Sequence, residues 1–382
     1  MTTLDMEQGG RNAVDLLLVL EATIGGTRRH LRDLATGLAA REMRVHVAYS
    51  AGRDPDFARD VVLFKECGIG CTEIPMRRGL SPFHDLAAVV RLRRLIRRLR
   101  PAALHLHSTK AGLVGRLAAI GTGVRVLYSP HCFAFEMDSL LRPLYRLAER
   151  ALAPLTDILV AVCESEAAAA RAVGYRPGRI RVVHNGVEAS PPTPANRKDG
   201  SIAFIGRNCR QKGVDVMLEA FKRLKRIQPD ARLTVMSDLD DGLRAAFASA
   251  GAEVLPFGTA SDAAALLSRA SILAMPSRWE AFPYLMLEAL AAGVAVVASD
   301  VGGVGECITD HENGLLVPPN DPGELAMALQ ELLVSDQLRR RLAAAGAQSA
   351  ARFTLSAMLD GITEAATSSP TQTRISPPTS QI

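Results

Sequence analysis

Short apolar runs alternate with amphipathic helical patterns along almost the whole chain, and this alternation constrains the fold more than any other feature. Residues 14–20 (VDLLLVL) form a continuous apolar run, typical of a strand buried on both faces. A helical pattern follows from Thr27, and residues 44–50 (RVHVAYS) predict the next strand. Strands separated by helices predict parallel sheets with right-handed crossovers.

A polar, Pro-rich segment at residues 189–200 (ASPPTPANRKDG) divides this alternation into two halves and is predicted to be a linker. We therefore expect two Rossmann-like, doubly wound α/β domains, at residues 14–188 and 201–350. The remaining segments are a polar start at residues 1–13, a final amphipathic helix at residues 351–366 and a polar tail at residues 367–382 that is predicted to be disordered.

The composition argues against several classes of protein. Lys and Arg number 45 against 40 Asp and Glu, too small an excess to indicate a nucleic-acid partner. The six cysteines are scattered without a C-x-x-C pair, as expected of reduced cytoplasmic thiols. No apolar run reaches the ~18 to 20 residues that span a bilayer. The sequence predicts a cytoplasmic protein, or one peripheral on the inner face of the cell membrane.

Residues 276–303 (PSRWEAFPYLMLEALAAGVAVVASDVGG) predict a strand end, a loop, a helix and the next strand. Pro283 suits the first turn of a helix, and Gly293 can close it in a left-handed conformation. Glu280 then lies in the loop, and Glu288 lies on the second helical turn. The unpaired N–H groups of the helix start would lie between two carboxylates, an arrangement that fits a diphosphate flanked by two hydroxyl-bearing sugars. Both carboxylates could instead be solvated on an amphipathic helix.

Residues 206–213 (GRNCRQKG) directly follow the first strand of the second half. Gly206 permits a tight turn, and Arg207 and Lys212 place two cations at the carboxyl end of that strand, where a diphosphate would lie. Fixed cations would stabilise the charge that develops on a departing diphosphate, which would allow transfer without a metal.

These two segments together resemble the nucleotide-sugar signature of the retaining glycosyltransferases of family 4. Glu280 and Glu288 have the family's spacing, and residues 206–213 match its Gly-Arg-x-x-x-x-Lys-Gly motif without a gap. The resemblance implies the GT-B fold, with two Rossmann-like domains facing a cleft, and a nucleoside diphosphate sugar as donor. It implies that Glu280 binds donor-sugar hydroxyls, that the helix start meets the diphosphate and that Glu288 binds the ribose. The predicted donor site comprises Gly206, Arg207, Lys212, Glu280, Ala281, Phe282, Pro283, Tyr284 and Glu288.

Residues 129–135 (SPHCFAF) end a strand of the first half and include His131. In the resembled family an equivalent His is near the reacting sugar, although Cys132 stands where Gly is usual. Retention in that family is thought to use front-side attack, so His131 is expected to position the sugar rather than attack it. The predicted catalytic residues are His131, Arg207, Lys212 and Glu280.

Residues 105–116 (HLHSTKAGLVGR) resemble the acceptor-side loop of family members that build bacterial exopolysaccharide or capsule. Ser108 and Lys110 are predicted to hold an anionic group, and Gly25 and Gly26 to permit a close approach of the diphosphate or acceptor. The implied acceptor is a glycan or a polyprenyl-diphosphate-linked acceptor. The basic helix from Arg91 to Arg100 (RLRRLIRRLR) would suit an anionic membrane surface, or could be a solvated face.

Three alternatives stay open at this point. Asp238 and Asp240 match the Asp-x-Asp metal site of another glycosyltransferase fold, but we favour a cap on the helix that starts near Gly242 and expect neither metal nor cofactor. A nucleotide-sugar epimerase of the same fold would bind the donor without needing a glycan acceptor. A catalytically silent partner could bind the nucleotide sugar without turning it over.

Overall fold

The computed structural model describes residues 14–54, 56–79, 81–137, 139–188 and 200–367. The predicted start segment lies outside these residues, as do the linker apart from Gly200 and the tail apart from Thr367. The described chain divides into two compact units. The first contains the residues up to Val162, Glu166–Val183 and the residues from Leu359. The second contains Cys163–Ser165 and His184–Met358.

The first unit is built on a parallel sheet of seven strands in the order β3-β2-β1-β4-β5-β6-β7. These strands are β1 (Leu16–Leu20), β2 (Val45–Tyr49), β3 (Gly70–Glu73), β4 (Ala103–His107), β5 (Arg125–Ser129), β6 (Ile158–Ala161) and β7 (Ile180–Val182). The crossover helices are α1 (Gly25–Ala40), α2 (Phe57–Glu66), α3 (Pro82–Leu99), α4 (Thr109–Ala119), α5 (Arg142–Leu152) and α6 (Glu164–Ala172). The order of the strands reverses between β1 and β4, which pair directly.

The second unit repeats this plan with a parallel sheet of six strands in the order β10-β9-β8-β11-β12-β13. Its strands are β8 (Ser201–Ile205), β9 (Arg232–Met236), β10 (Glu253–Leu255), β11 (Ile272–Met275), β12 (Ala295–Ser299) and β13 (Leu315–Val317). Its helices are α7 (Val214–Ile227), α8 (Asp241–Ser249), α9 (Ala260–Arg269), α10 (Tyr284–Ala291), α11 (Pro322–Val334) and α12 (Asp336–Ala350). A last helix, α13 (Leu355–Thr367), ends the described chain. The predicted doubly wound parallel architecture is confirmed in both units.

Several local boundaries differ from the sequence predictions. The predicted basic helix from Arg91 to Arg100 is the second half of α3, which begins at Pro82, since Pro is favourable at a helix start. The pair Gly25 and Gly26 opens α1 instead of preceding it, and Gly25 takes the left-handed φ of 57° that glycine accepts without strain. Within the described residues, no helix combines the length and apolar character needed to span a membrane.

A buried ion pair ties α5 to α4 in the first unit. The Arg116 guanidinium donates to both carboxylate oxygens of Glu149, at 2.6 and 3.1 Å, and to the Tyr175 hydroxyl at 2.9 Å. Tyr175 in turn donates to Glu149 Oε1 at 2.5 Å. Arg116 is only 1% exposed and Glu149 only 5%. Because each charge depends on the other in this apolar setting, loss of one partner leaves an uncompensated buried charge.

We predict that Glu149→Ala lowers the free energy of unfolding by roughly 3 to 5 kcal/mol, because Arg116 loses its buried counter-ion. The matched control is Glu219→Ala, which removes an exposed partner of Arg223 on α7 and should cost at most about 1 kcal/mol. Urea denaturation followed by circular dichroism measures both. Equal, small losses in the two variants would show that α5 is not held by this pair.

Candidate functional site

The loops that follow β8 and β11 meet through an ion pair between two predicted donor-site residues. Lys212 Nζ lies 2.5 Å from Glu280 Oε1, and Ser277 Oγ donates to the same carboxylate oxygen at 2.8 Å. Glu280 is buried, while Lys212 is partly exposed. The two residues come together because β8 and β11 are neighbouring parallel strands, so their following loops leave the same edge of the sheet.

Helix α10 presents its amino end beside this ion pair. Pro283 is its N-cap residue, and the first helical hydrogen bond runs from Leu287 N to Pro283 O at 3.4 Å. The N–H groups of Leu285 and Met286 in the first turn precede this bond and can bind an anion. Glu288 lies half-buried on the second turn, and Gly293 follows the helix with a φ of 70°, both as predicted.

The other helices of the second unit are capped differently. Asp240, Thr259, Asp321 and Ser335 each accept hydrogen bonds from the first-turn N–H groups of α8, α9, α11 and α12. Helices α7 and α10 instead start at Gly213 and Pro283, whose side chains cannot accept a hydrogen bond. The two uncapped helix starts in this unit directly follow the loops that hold Lys212 and Glu280.

Arg207 follows β8 at the same edge of the sheet. It is half-buried, and no ion pair joins it to another described residue. Gly206 donates its N–H to Met236 O at 3.1 Å, which holds the start of this loop against the end of β9. Arg207 is therefore a cation on a fixed turn that is available to an anionic ligand.

Close backbone contacts fix the turn that holds Glu280. Gly302 has a φ of 54°, and a Cβ atom there would lie 1.8 Å from Glu280 O. Gly303 donates its N–H to Ala281 O at 2.8 Å. Gly213 likewise has a positive φ, and a Cβ atom there would lie 2.1 Å from Pro276 O. Only glycine fits these contacts, so both loops are held by backbone packing.

Arg278 and Asn185 position the same turn through side chains that the sequence did not single out for this role. Arg278 forms two hydrogen bonds with Asp215 on α7, at 2.9 and 2.6 Å, and donates to Arg210 O at 2.8 Å. Asn185 is buried and donates from Nδ2 to Phe282 O at 2.6 Å. Neither residue was predicted as part of the site, and no local pattern pairs Arg278 with a residue 63 positions away.

Asp240 caps α8, as the preferred interpretation predicted. Its Oδ1 accepts from Leu243 N at 2.9 Å, the hydrogen bond expected of an N-cap residue. Asp238 Oδ1 accepts from Asn208 N at 2.5 Å, so this carboxylate fastens the loop that contains Arg207. Both acids are engaged with backbone groups of the protein.

In the first unit, His131 belongs to a cluster of four histidines. His105 and His107 alternate with Leu104 and Leu106 on β4 and therefore share the face of the sheet opposite those leucines. His107 Nδ1 lies 3.1 Å from His131 Nε2, and the His30 ring on α1 lies 4.6 Å from the His131 ring. The spacing His-x-His at the end of a strand was the available signal for this cluster, but only His131 was predicted as a site residue.

Three of the four rings, those of His105, His107 and His131, have lowered pKa values. Burial, and next the neighbouring His30, lower the pKa of His105 to about 3. Burial and the neighbouring rings also hold the pKa values of His107 and His131 well below the usual range. His30, His107 and His131 each offer a ring nitrogen within 4.8 Å of the others, close enough for a metal ion. His107 and His131 instead share a hydrogen bond, an arrangement suited to neutral imidazoles that both donate and accept.

Glu166 holds the backbone that presents His131. Both His131 and Cys132 have left-handed φ angles, 52° and 80°, which non-glycine residues adopt only when their surroundings stabilise them. Glu166 accepts from Cys132 N at 2.6 Å and from Val162 N at 2.8 Å. Burial raises the pKa of Glu166 to about 7, despite these two hydrogen bonds. No pattern in the sequence indicated this carboxylate.

The predicted acceptor-side residues lie at the start of α4. Lys110 is buried, with Nζ at 2.8 Å from both carboxylate oxygens of Asp85 and from Gly79 O. Its charge is therefore already matched by a carboxylate of α3. Ser108 precedes the helix with a φ of 82°, and its buried Oγ has no hydrogen-bond partner among the described residues. Of these two residues, Ser108 offers the available polar group.

Two family models match the chain, one to each unit. The model described as "Glycosyl transferase 4-like domain" matches residues 25–186, and the model described as "Glycosyl transferases group 1" matches residues 188–349. Together they span most of the described residues.

Individual relatives agree with these matches. An "Uncharacterized 41.2 kDa protein in cps region" of Klebsiella pneumoniae is 30% identical over 58% of this chain and 66% of its own length. A D-inositol 3-phosphate glycosyltransferase of Segniliparus rotundus is 28% identical over 88% of this chain and 83% of its own. The Anabaena protein Alr3699/HepE, solved in complex with UDP-glucose, has a TM-score of 0.74 at 20% identity over 91% of this chain and 98% of its own.

We predict that His105 makes the stability of the protein fall in acid. Its folded pKa of about 3 lies below the usual value of 6.5, so between these values the unfolded chain binds a proton that the folded chain does not. We therefore compare the free energies of unfolding of the wild type and of His105→Gln. The difference, wild type minus variant, should fall by about 1.4 kcal/mol for each pH unit below about pH 6. Urea denaturation at pH 7.5, 6.0 and 5.0 measures this difference.

The comparison with His105→Gln is needed because Glu166 acts in the opposite direction. Its raised pKa means that the folded state binds an extra proton as the pH falls below about 7, which stabilises it. That contribution is common to both proteins and cancels in the difference. A difference in stability that stays constant from pH 7.5 to 5.0 would contradict the assignment of a buried, neutral His105.

Proposed function

Because the chain belongs to the GT-B glycosyltransferases of the family 4 type, we propose that it transfers a sugar from a nucleoside diphosphate sugar with retention of anomeric configuration. The proposed acceptor is a glycan linked to polyprenyl diphosphate, in the synthesis of a bacterial surface polysaccharide. The observation that supports this most is the Lys212–Glu280 ion pair beside the uncapped start of α10.

The donor diphosphate would lie between α10 and the loop after β8. The first-turn N–H groups of α10 offer fixed hydrogen-bond donors, and Arg207 and Lys212 offer two cations. Glu288 would bind the ribose hydroxyls from the second turn of α10. The complex of Alr3699/HepE with UDP-glucose supports a donor of this chemical class.

Glu280 is suited to binding the donor sugar because its two oxygens have different roles. Lys212 and Ser277 both bind Oε1. Among the described residues nothing occupies Oε2, which can therefore accept a hydrogen bond from a sugar hydroxyl. The Gly302 contact and the Gly303 hydrogen bond hold the turn in place, so the carboxylate is oriented before the sugar arrives.

The resemblance to the family implies the chemical step. The bond from the anomeric carbon to the phosphate oxygen breaks, the acceptor hydroxyl oxygen bonds to that carbon from the same face, and the leaving phosphate takes the hydroxyl proton. Arg207, Lys212 and the α10 N–H groups would stabilise the charge that develops on the diphosphate. This account needs neither a side-chain nucleophile nor a metal. For the neutral His131 ring we propose a positioning role toward sugar hydroxyls.

The acceptor proposal rests on the relatives and on the chemistry of the first unit. The Klebsiella relative comes from a cps region, which favours surface polysaccharide synthesis. Ser108 offers an unpartnered hydroxyl at the start of α4, while Lys110 would bind an anionic acceptor only by leaving Asp85. We therefore place more weight on Ser108 than on Lys110 in acceptor binding.

We predict that nucleotide-sugar binding changes the fluorescence of Trp279, the only tryptophan of the chain, because it is adjacent to Glu280. Titration with UDP-, GDP- and ADP-glucose should identify the donor base. Arg207→Ala and Glu288→Ala should each weaken binding about 10- to 100-fold, since each removes a charge-assisted hydrogen bond.

Matched controls for these variants are Arg223→Ala and Glu219→Ala, which remove the same residue types from the exposed surface of α7. Both controls should bind like the wild type. Equal affinity of all four variants, or the absence of a response to any nucleotide sugar, would place the donor elsewhere.

A further inference from the structure

Helix α5 exposes its apolar side chains instead of burying them. Leu144 is 49% exposed and Leu147 is 66% exposed, and Leu140 and Leu141, directly before the helix, are also exposed. Among its eleven residues only Glu149 is buried. An ordinary surface helix of a globular protein buries its apolar stripe against the core, so α5 has the reverse orientation.

Polar contacts explain how α5 keeps this orientation. Glu149 joins Arg116 and Tyr175 in the buried ion pair described above. Arg142 Nε donates to Phe135 O at 3.0 Å, and the Arg146 guanidinium lies 5.6 Å from the centre of the Phe135 ring. The partly buried Tyr145 also packs against the core of the first unit. These contacts attach the helix to the protein, so the leucines do not serve to attach it.

The surface around these leucines is basic. Arg142, Arg146 and Arg150 lie on α5 and are exposed, while its one acidic residue, Glu149, is buried against Arg116. Apolar residues flanked by arginines are complementary to a surface that is apolar inside and anionic outside.

We propose that the leucine face of α5, comprising Leu140, Leu141, Leu144 and Leu147, docks the protein onto a bilayer that contains anionic lipid. The leucines would enter the boundary of the acyl chains, and the arginines of α5 would meet the headgroup phosphates. A second copy of the chain fits this face less well, because a symmetric contact would bring two sets of arginines together.

The inference deepens the proposed function, since an enzyme with a lipid-linked acceptor must reach the bilayer surface. Only the reason for docking rests on that function. It also refines the membrane role expected of Arg91 to Arg100. Arg93 of this segment donates to Ala118 O and Ile120 O, so it braces α3 against α4.

The test is co-sedimentation of the full chain with vesicles of phosphatidylcholine alone or with 30% phosphatidylglycerol, without nucleotide sugar or acceptor. The wild type should bind the anionic vesicles and bind the neutral ones more weakly. Leu144→Gln/Leu147→Gln should bind at least about tenfold more weakly. Arg150→Gln should weaken binding to the anionic vesicles only. The matched control, Val62→Gln/Leu63→Gln, changes two exposed apolar residues of α2 and should bind like the wild type.

Binding by Leu144→Gln/Leu147→Gln equal to that of the wild type would overturn the proposal, as would a wild type that binds neither vesicle. Equal binding to the neutral and anionic vesicles would also overturn it. The proposal would also be overturned if vesicle binding is absent and sedimentation velocity shows a concentration-dependent dimer that Leu144→Gln/Leu147→Gln abolishes. The Trp279 response to nucleotide sugar, recorded on the same variants, shows that they are folded. It also separates failure of docking from failure of the proposed transferase function.

Discussion

In both sheets every strand pairs in parallel with its neighbours, and this constraint determines where functional groups can gather. Parallel pairing places all carboxyl ends of the strands at one edge, so loops that are distant in sequence become neighbours there. In the second unit the order reverses between β8 and β11, and the loops that follow these strands contribute Lys212 and Glu280. In the first unit the order reverses between β1 and β4, and β4 contributes His105 and His107.

The donor loops combine rigid backbone with open hydrogen-bonding capacity. Gly213 and Gly302 allow backbone contacts that no other residue would fit, and Arg278 ties its loop to α7. The helix starts beside these loops are the two that begin at Pro283 and Gly213 without a side-chain cap. A helix start without a side-chain cap is less stable, and a bound anion would restore that stability. On α5, leucines stay exposed while a buried ion pair attaches the helix.

Local chemistry explains which parts of the molecule could be predicted from the sequence. Helix α10 starts and ends near Pro283 and Gly293 as predicted, because apolar periodicity, Pro and Gly act within a few residues. Asp240 was assigned as a cap for the same reason. The glycosyltransferase family followed from two motifs whose residues have fixed spacing.

Contacts between distant positions were the part that the sequence could not predict. Lys110 was expected to bind an anionic ligand, yet it pairs with Asp85, because the pairing of α3 and α4 is a tertiary feature. Glu166 reaches Cys132 across 34 positions, and no local pattern marks it. His105 and His107 were not predicted as site residues, because only the folded chain places His131, after β5, and His30, on α1, beside them.

The central claim is that the open start of α10 binds the diphosphate of the donor. Hydrogen exchange measured by mass spectrometry, with and without the nucleotide sugar identified by fluorescence, tests it most directly. We predict slower exchange of the backbone N–H groups of Leu285 and Met286 in the complex. The first turn of α11, whose N–H groups are already bound by Asp321, should be unchanged. Unaltered exchange at Leu285 and Met286 in a saturated complex would contradict this claim.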